Sequence, residues 1–350
     1  MPFNSDQLAY AGRHVIDYYL RNDPIDQINT ERPLIKKLSE GKQQYAGGLQ
    51  YVVEQLRYAN DSNFQSYFGD GQVSYNRKRT LSQAKFTWGS FHDGFGLNED
   101  ELAQAGITMT DDKNSVPSDA EKVALTNLLD ENMETLKLGY EENFDLMLHR
   151  DGTASDTDIA GLDALISTTP SVSATIGTLN QSTYSWWRNY ADLNISTATA
   201  GNLVDRMEIA WRECTRYGGF RPDFILVGGD FLDAYRSDAS QTVNRQLQKS
   251  GRGNTELDAS VDGVYFKGVP LVWDPVFDVL DAADSPTVEW AKRCYFINTR
   301  FLKLRPIKGH WMTPRKPPRV YDRYVHYWGL TSKAALTTGK RNAHAVLSIY

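Results

Sequence analysis

The sequence predicts an α+β protein. Three observations carry that expectation: one very long amphipathic helix near the middle, two β-rich runs joined by a long polar tip before it, and several β segments returning towards the C-terminus. Two readings of this pattern stay open on the helix alone. One is a long helix in an ordinary α/β protein; the other is a spine on which flatter β layers are mounted.

The helix spans Ser118 to Arg150, with apolar residues Leu125, Leu129, Met133, Leu136, Tyr140, Phe144 and Met147 spaced three or four apart on one face. Ser118 with Glu121 reads as a capping box after Pro117, and Asp151-Gly152 as the stop. Such a helix is roughly 48 Å long at about 1.5 Å per residue. A chain of 350 residues has a compact diameter near ~50 Å, so this helix would cross the molecule. Asp130, Glu131, Glu134, Glu141, Glu142 and Asp145 interrupt any membrane-spanning run.

Before the spine, residues 1–45 read as an arm that encloses no core. Asp6 to Arg21 forms an amphipathic helix, Pro24 and Pro33 break the chain, and Ile25, Ile28, Leu34, Ile35 and Leu38 are scattered anchors. Leu49–Tyr58 and Gln83–His92 are β-rich and predict a hairpin. Its tip has an Asp70-Gly71 turn signal and carries Phe64, Tyr67, Phe68 and Tyr75. The hairpin either packs back on its own domain or projects and docks on another molecule. Residues 98–116 read as acidic loop and short helix.

After the spine, 153–199 is mixed loop around LDALIS and STYSWWRNYADL. A second helix has Leu203, Met207, Ala210 or Trp211, and Cys214 on one face and ends at Gly218-Gly219. Phe224–Val227 is a buried strand leading through a Gly-Gly turn into a short helix, and Lys249–Thr255 has loop composition. Val261–Pro275 predicts paired strands, Cys294–Pro306 a β segment, Val320–Ser332 a long strand, and the last eleven residues a closing strand.

Composition excludes several classes. A net charge of −6 argues against a protein built to grip nucleic-acid backbone. Cys214 and Cys294 are far apart, so neither a disulfide framework nor a zinc site is expected. No signal peptide or transmembrane run is expected. Gly228-Gly229-Asp230 resembles a phosphate-binding turn, but Asp230 puts negative charge where an anion would sit, which favours a structural turn. Thr338-Gly339-Lys340 fails as a nucleotide-binding loop. The histidines are dispersed, no serine-hydrolase elbow occurs, and no catalytic constellation, metal site or cofactor site is found. One basic cluster stands out: Arg300, Lys303, Arg305, Lys308, Arg315, Lys316, Arg319 and Arg323. It faces either acidic partners or DNA.

Arm, hairpin, spine, α/β middle with a glycine-containing loop, and returning strands occur in an order that resembles the major capsid proteins of tailed bacteriophages, the HK97-like fold family. TYSWWRNYAD (Thr183–Asp192), YFKGVPLVWDP (Tyr265–Pro275), CYFINTRFLKLRP (Cys294–Pro306) and WGLTSKAALTTGKRNAHAVL (Trp328–Leu347) sharpen the resemblance. It implies an N-terminal arm (1–45), an extended loop (46–97), a peripheral domain (98–154 with 311–350, spine 118–150) and an axial domain (155–310). Intersubunit contact would involve Phe64, Tyr67, Phe68, Tyr75, Arg77 and Lys78, with Arg252 in a loop towards the capsomer centre.

The resemblance further implies a non-enzymatic virion protein, assembled in the host bacterial cytoplasm. Its copies would form hexamers and pentamers of an icosahedral shell confining double-stranded DNA, with a portal protein as partner and separate scaffolding and decoration proteins as further candidates. No membrane partner is implied. Some family members form a Lys–Asn crosslink; Lys78, Lys85 and Asn342 are the residues of that type here, and nothing marks them as reactive. The alternatives are an encapsulin-like compartment with protein cargo, and a carbohydrate-active enzyme with two carboxylates across a cleft.

Overall fold

The structure, a computed structural model, describes residues 30–47, 50–104, 119–199, 201–241, 264–318 and 325–350. The expected Asp6–Arg21 helix, Ser118 of the capping box, the Lys249–Thr255 loop, and Arg252, Arg319 and Arg323 lie outside them. The described chain divides into two compact units. One gathers residues within 90–144 and 307–333; the other gathers those within 31–89, 145–306 and 334–350.

In the first unit the long helix α3 (Asp119–His149; preceded by α1, Pro33–Glu40, and α2, Glu99–Gln104) supplies the core through Phe144. Leu136, Tyr140 and Phe144 are buried, as the helical spacing predicts, whereas Leu129 and Met133 are only half-buried. Phe144 meets Phe91 and Trp311 edge-on at 5.2 and 5.5 Å. Phe91 lies on β3 (Gly89–Asn98), which pairs with the long β13 (Val325–Thr338). The short β12 (Thr313–Arg315) also pairs with β13, Thr313 opposite Thr331. Because Phe144 is buried against three rings, Phe91, Trp311 and Tyr140, Phe144→Ala is expected to cost about 3–5 kcal/mol. A urea titration followed by tryptophan fluorescence reads this loss; a shift under about 1 kcal/mol would show the aromatic cluster to be loosely packed.

The second unit is built on a six-stranded sheet. Its order is β6 (Tyr190–Ile195), β14 (Ala345–Ile349), β10 (Arg293–Ile297), β7 (Phe224–Val227), β9 (Val269–Trp273) and β8 (Tyr265–Phe266). β10 is antiparallel to β14 and β7; β14 runs parallel to β6, and β7 parallel to β9. Every residue of β7, β10 and β14 is buried, so apart from Arg293 and Ser348 these strands read as apolar runs rather than alternations. Leu203, Met207, Ala210, Trp211 and Cys214 of α5 (Asn202–Arg216; after α4, Leu162–Leu165) and Phe231 and Tyr235 of α6 (Gly229–Gln241) pack with Ile225, Val227, Phe296 and Leu347. Tyr295 points the other way, against Phe277 of α7 (Val276–Asp284) and Trp290.

Several sequence expectations need correction. Pro33 does not break the chain; it stands at the first turn of α1, where its missing N–H costs nothing, and Leu34, Ile35 and Leu38 are buried. The closing residues grouped with the spine pair instead inside the six-stranded sheet, because Ala345–Ile349 is apolar on both faces. Cys294–Pro306 is two strands, β10 and β11 (Leu302–Pro306), separated at Asn298–Phe301. Asp145, one of the carboxylates that interrupt the apolar run of the spine, is fully buried. The stop after α3 holds: Gly152 has φ +75°, and a Cβ there would lie 2.1 Å from the Ile159 carbonyl oxygen.

His344, at the start of β14, is fully buried and accepts from the Asn298 N–H through Nδ1 (3.2 Å). That bond fixes the Nε2–H tautomer and a neutral ring. Burial and the Arg341 charge push its pKa down to about 3. The unfolded chain therefore takes up a proton below about pH 6.5 that the folded chain refuses, so this contribution is present above that pH and lost below it. This contribution should fall by up to about 1.4 kcal/mol per pH unit between pH 6 and 4. In urea titrations across this range the pH slope of His344→Asn should differ from that of wild type by this amount; identical slopes would show that His344 contributes none of it.

Candidate functional site

The hairpin is β1 (Tyr51–Arg57) against β2 (Leu81–Thr87), antiparallel from Tyr51 opposite Thr87 to Arg57 opposite Leu81. Val52, Leu56, Ala84 and Phe86 are buried, so one face of the hairpin root belongs to the core. The Lys85 N–H donates to the Gly177 carbonyl in the small turn between β4 (Thr175–Ile176) and β5 (Leu179–Asn180). Glu54 pairs with Arg305 of β11 at 2.6 Å and accepts from the Thr337 hydroxyl. The root is thereby fixed on three sides.

Beyond Tyr58, whose N–H donates to the Thr80 carbonyl, the ladder stops. The tip's hydrogen bonds stay within the tip: Phe64 N–H to Ser62 Oγ, Gly71 N–H to the Phe68 carbonyl, and Arg79 N–H to Asp61 Oδ2. Its four rings are left in solvent. Phe64 is 94% exposed, Phe68 97%, Tyr75 91% and Tyr67 70%. Arg77 and Lys78 are exposed beside them. Covering one such ring, roughly 150–250 Å², is worth about 4–6 kcal/mol of transfer before the costs of association. Lone exposed apolar residues are ordinary; here four large rings within twelve residues of one loop are exposed together.

At the hairpin root a cleft of about 630 Å³ is lined by Tyr58, Trp186, Tyr217, Phe301, Lys340 and Asn342 among others. Trp186 stacks on Tyr58 with centroids 5.5 Å apart. Lys340 donates to the Tyr217 carbonyl, and burial lowers its pKa. Glu213 is the single acidic residue among the described lining residues. Carboxylate-pair glycoside chemistry needs two across the cleft, so this cleft does not fit it.

Of the basic cluster, Arg300, Lys303 and Arg305 belong to one unit, and Lys308, Arg315 and Lys316 to the other. Arg305 is committed to Glu54, and Arg300 lies over the Phe220 ring at 4.5 Å. Lys303 is half-buried; burial and the Arg305 charge lower its pKa. Lys308, Arg315 and Lys316 are exposed, with Lys316 over Trp328 at 5.5 Å.

The Gly228–Asp230 turn is structural. Its Gly228 N–H donates to the Arg293 carbonyl and the Phe231 N–H to the Ala291 carbonyl, so both donors are already paired. A Cβ on Gly228 would lie 2.2 Å from the Ala291 oxygen. Cys214 and Cys294 are buried free thiols; burial pushes Cys214 up to about 12 and Cys294 well up, so neither is a nucleophile at neutral pH. Among the described residues no group of three His, Cys, Asp or Glu side chains is placed to hold a metal ion, and no helix is long and apolar enough to cross a membrane.

Sequence reasoning missed two buried polar groups. Arg341 is fully buried and donates to the Leu165, Trp187 and Ala164 carbonyls, Gln181 Oε1 and Asn189 Oδ1. The other joins Asp145 and His149, one helical turn apart, to Asp274, which lies 125 positions from His149 and so could not be seen as part of a cluster.

No family model matches the chain, and no curated protein sequence matches it. Solved structures do. A chain of the cyanophage A-1(L) capsid asymmetric unit is 16% identical with a TM-score of 0.64, covering 95% of this chain and 97% of that one. A chain from Gordonia phage Cozz is 12% identical, with a TM-score of 0.55 over 95% and 92% of the two chains. A chain of the capsid of the Myoviridae phage XM1 is 13% identical, with a TM-score of 0.52 over 95% and 98%. The chain thus has the HK97-like capsid fold.

Proposed function

We propose that the protein is the major capsid protein of a tailed bacteriophage, a non-enzymatic structural subunit that self-assembles into hexamers and pentamers of an icosahedral shell confining double-stranded DNA. The observation that carries this reading is the hairpin tip, whose four exposed rings have no partner within the described chain and whose root is firmly anchored. A limb held rigidly at one end and bare at the other is suited to reaching a neighbouring copy. The whole-chain likeness in fold to phage capsid chains supports it.

In this reading the extended loop expected over 46–97 is the hairpin, residues 51–87, while β3 goes with the unit of the spine. The spine helix with β3, β12 and the first half of β13 makes the peripheral domain, and the six-stranded sheet with its helices the axial domain. Arg252 would contact neighbours at the capsomer centre. Lys308, Arg315, Lys316 and Arg319 would face DNA or acidic partner surfaces. A portal protein, and separate scaffolding or decoration proteins, would complete the particle, which would assemble in the bacterial cytoplasm.

Fractionating lysed cells that make the protein, with nucleic acid and protein content read from each fraction, tests the proposal. Shells sedimenting with nuclease-protected DNA support it. Shells carrying a stoichiometric protein cargo instead would point to a cellular compartment, and an absence of large particles would contradict both.

A further inference from the structure

The buried groups joining the long helix to its surroundings have a use that shell building does not explain. Asp145, His149 and Asp274 are all completely buried. The His149 Nδ1 lies 2.8 Å from the Asp145 backbone carbonyl, which can only accept, so Nδ1 carries a proton. Nε2 is 2.9 Å from Asp274 Oδ2, and one proton bridges that pair. Asp274 Oδ1 accepts from the Val276 N–H at the start of α7.

Asp145 is different. Its Oδ1 accepts the Ile35 N–H of α1 at 3.2 Å, while its Oδ2 has no hydrogen-bond partner among the described residues. That oxygen stands 3.8 Å from His149 Nδ1, whose proton is already donated to the carbonyl. An ionised carboxylate here is half-solvated by protein and shielded from water, whereas a protonated one places its hydrogen on the vacant oxygen.

We propose that this cluster is a proton-operated joint: with a proton on Asp145, α1 is seated against the C-terminal turns of α3, and loss of that proton loosens the seat. Water reaches the bare oxygen when a covering element moves. The covering element that bonds directly to this carboxyl from outside α3 is α1, held there by Leu34, Ile35 and Leu38.

The charges facing Asp145 are Arg32, just before α1, His149 on α3 and Asp274 before α7. Burial raises Asp145 to about 6, His149 lowers it, Asp274 raises it, and the Ile35 bond and Arg32 lower it; burial wins. For His149, burial works downward, but the Asp274 bond and the two carboxylate charges outweigh it and leave the ring raised. Both groups thus hold protons more tightly folded than unfolded. Their contribution is present at low pH; the Asp145 part is lost as pH rises from about 4 through 6, and the His149 part above its ordinary range. His344 acts in the opposite sense and is common to every chain compared below.

Hydrogen exchange of the full-length protein, followed on the peptide spanning residues 33–40 and corrected for intrinsic rates, tests the joint at pH 5 and 7.5. Wild type should lose protection at pH 7.5, by roughly tenfold, since a carboxyl raised to about 6 is mostly protonated in the folded chain at pH 5 and ionised in both states at pH 7.5. Asp145→Asn, which keeps an oxygen for Ile35 and carries no charge, should lose the Asp145 part of that change and keep only what His149 and His344 contribute. Equal protection in wild type, or a change in Asp145→Asn as large as in wild type, overturns the proposal. Should the variant be insoluble, the wild-type comparison decides alone.

Discussion

Replacing residues 62–76 by a short turn is expected to leave a chain that folds as wild type does but does not assemble. The tip's hydrogen bonds are internal to it, and Phe64, Tyr67, Phe68 and Tyr75 are in solvent, so its removal deletes no core contact. Thermal stability should change by less than about 1 kcal/mol, as for other surface changes. Assembly should change far more. One ring lost from each contact removes about 4–6 kcal/mol of burial, enough to raise the concentration needed for assembly by roughly a thousandfold. Phe64→Ser with Phe68→Ser is the milder form. Sedimentation velocity separates subunit from shell in each case, and normal shells from the shortened chain would remove the hairpin from intersubunit contact.

The second large effect is expected at Arg341. Its guanidinium is fully buried and serves five acceptors between Ala164 and Asn189, joining the end of the chain to the segment that follows the spine. Burial lowers its pKa to about 10, which still leaves it charged at neutral pH. Arg341→Met fits the space but strands those acceptors without donors, at a cost of about 3–5 kcal/mol. Arg341→Lys should recover little, because one ammonium cannot reach acceptors arranged around a planar fork. A fall in the urea midpoint of roughly 1 M or more is expected for both. A midpoint within error of wild type would show that water replaces the side chain.

The parts of the fold legible in sequence were those with a period. The spine showed itself through Leu136, Tyr140 and Phe144 at steps of four, α5 through Leu203, Met207, Ala210 and Cys214, and the hairpin through two β-rich runs around a polar tip. Burial of Asp145 and His149 was not legible, because the periodic signal weighs only apolar residues and their partners lie 110 and 125 positions away. The helix at Pro33 was missed for a related reason: proline both ends and begins helices, and Leu34, Ile35 and Leu38 choose between those only once there is a surface to cover.

The candidate site was legible as composition and not as geometry. Aromatics on a polar tip could fold home or project, and nothing local distinguishes the two; exposures of 94% at Phe64 and 97% at Phe68 do. Within the basic cluster, the pairing of Arg305 with Glu54, which lies far back in the hairpin, could not be read from the local sequence.

The account rests on limbs that meet other copies of the same chain. Electron microscopy of the purified protein, imaged across a concentration series, tests this most directly. Closed shells are expected, with each hairpin tip covered by an adjacent copy and Phe64 and Phe68 out of solvent. Isolated subunits at every concentration, with the tip bare, would contradict it.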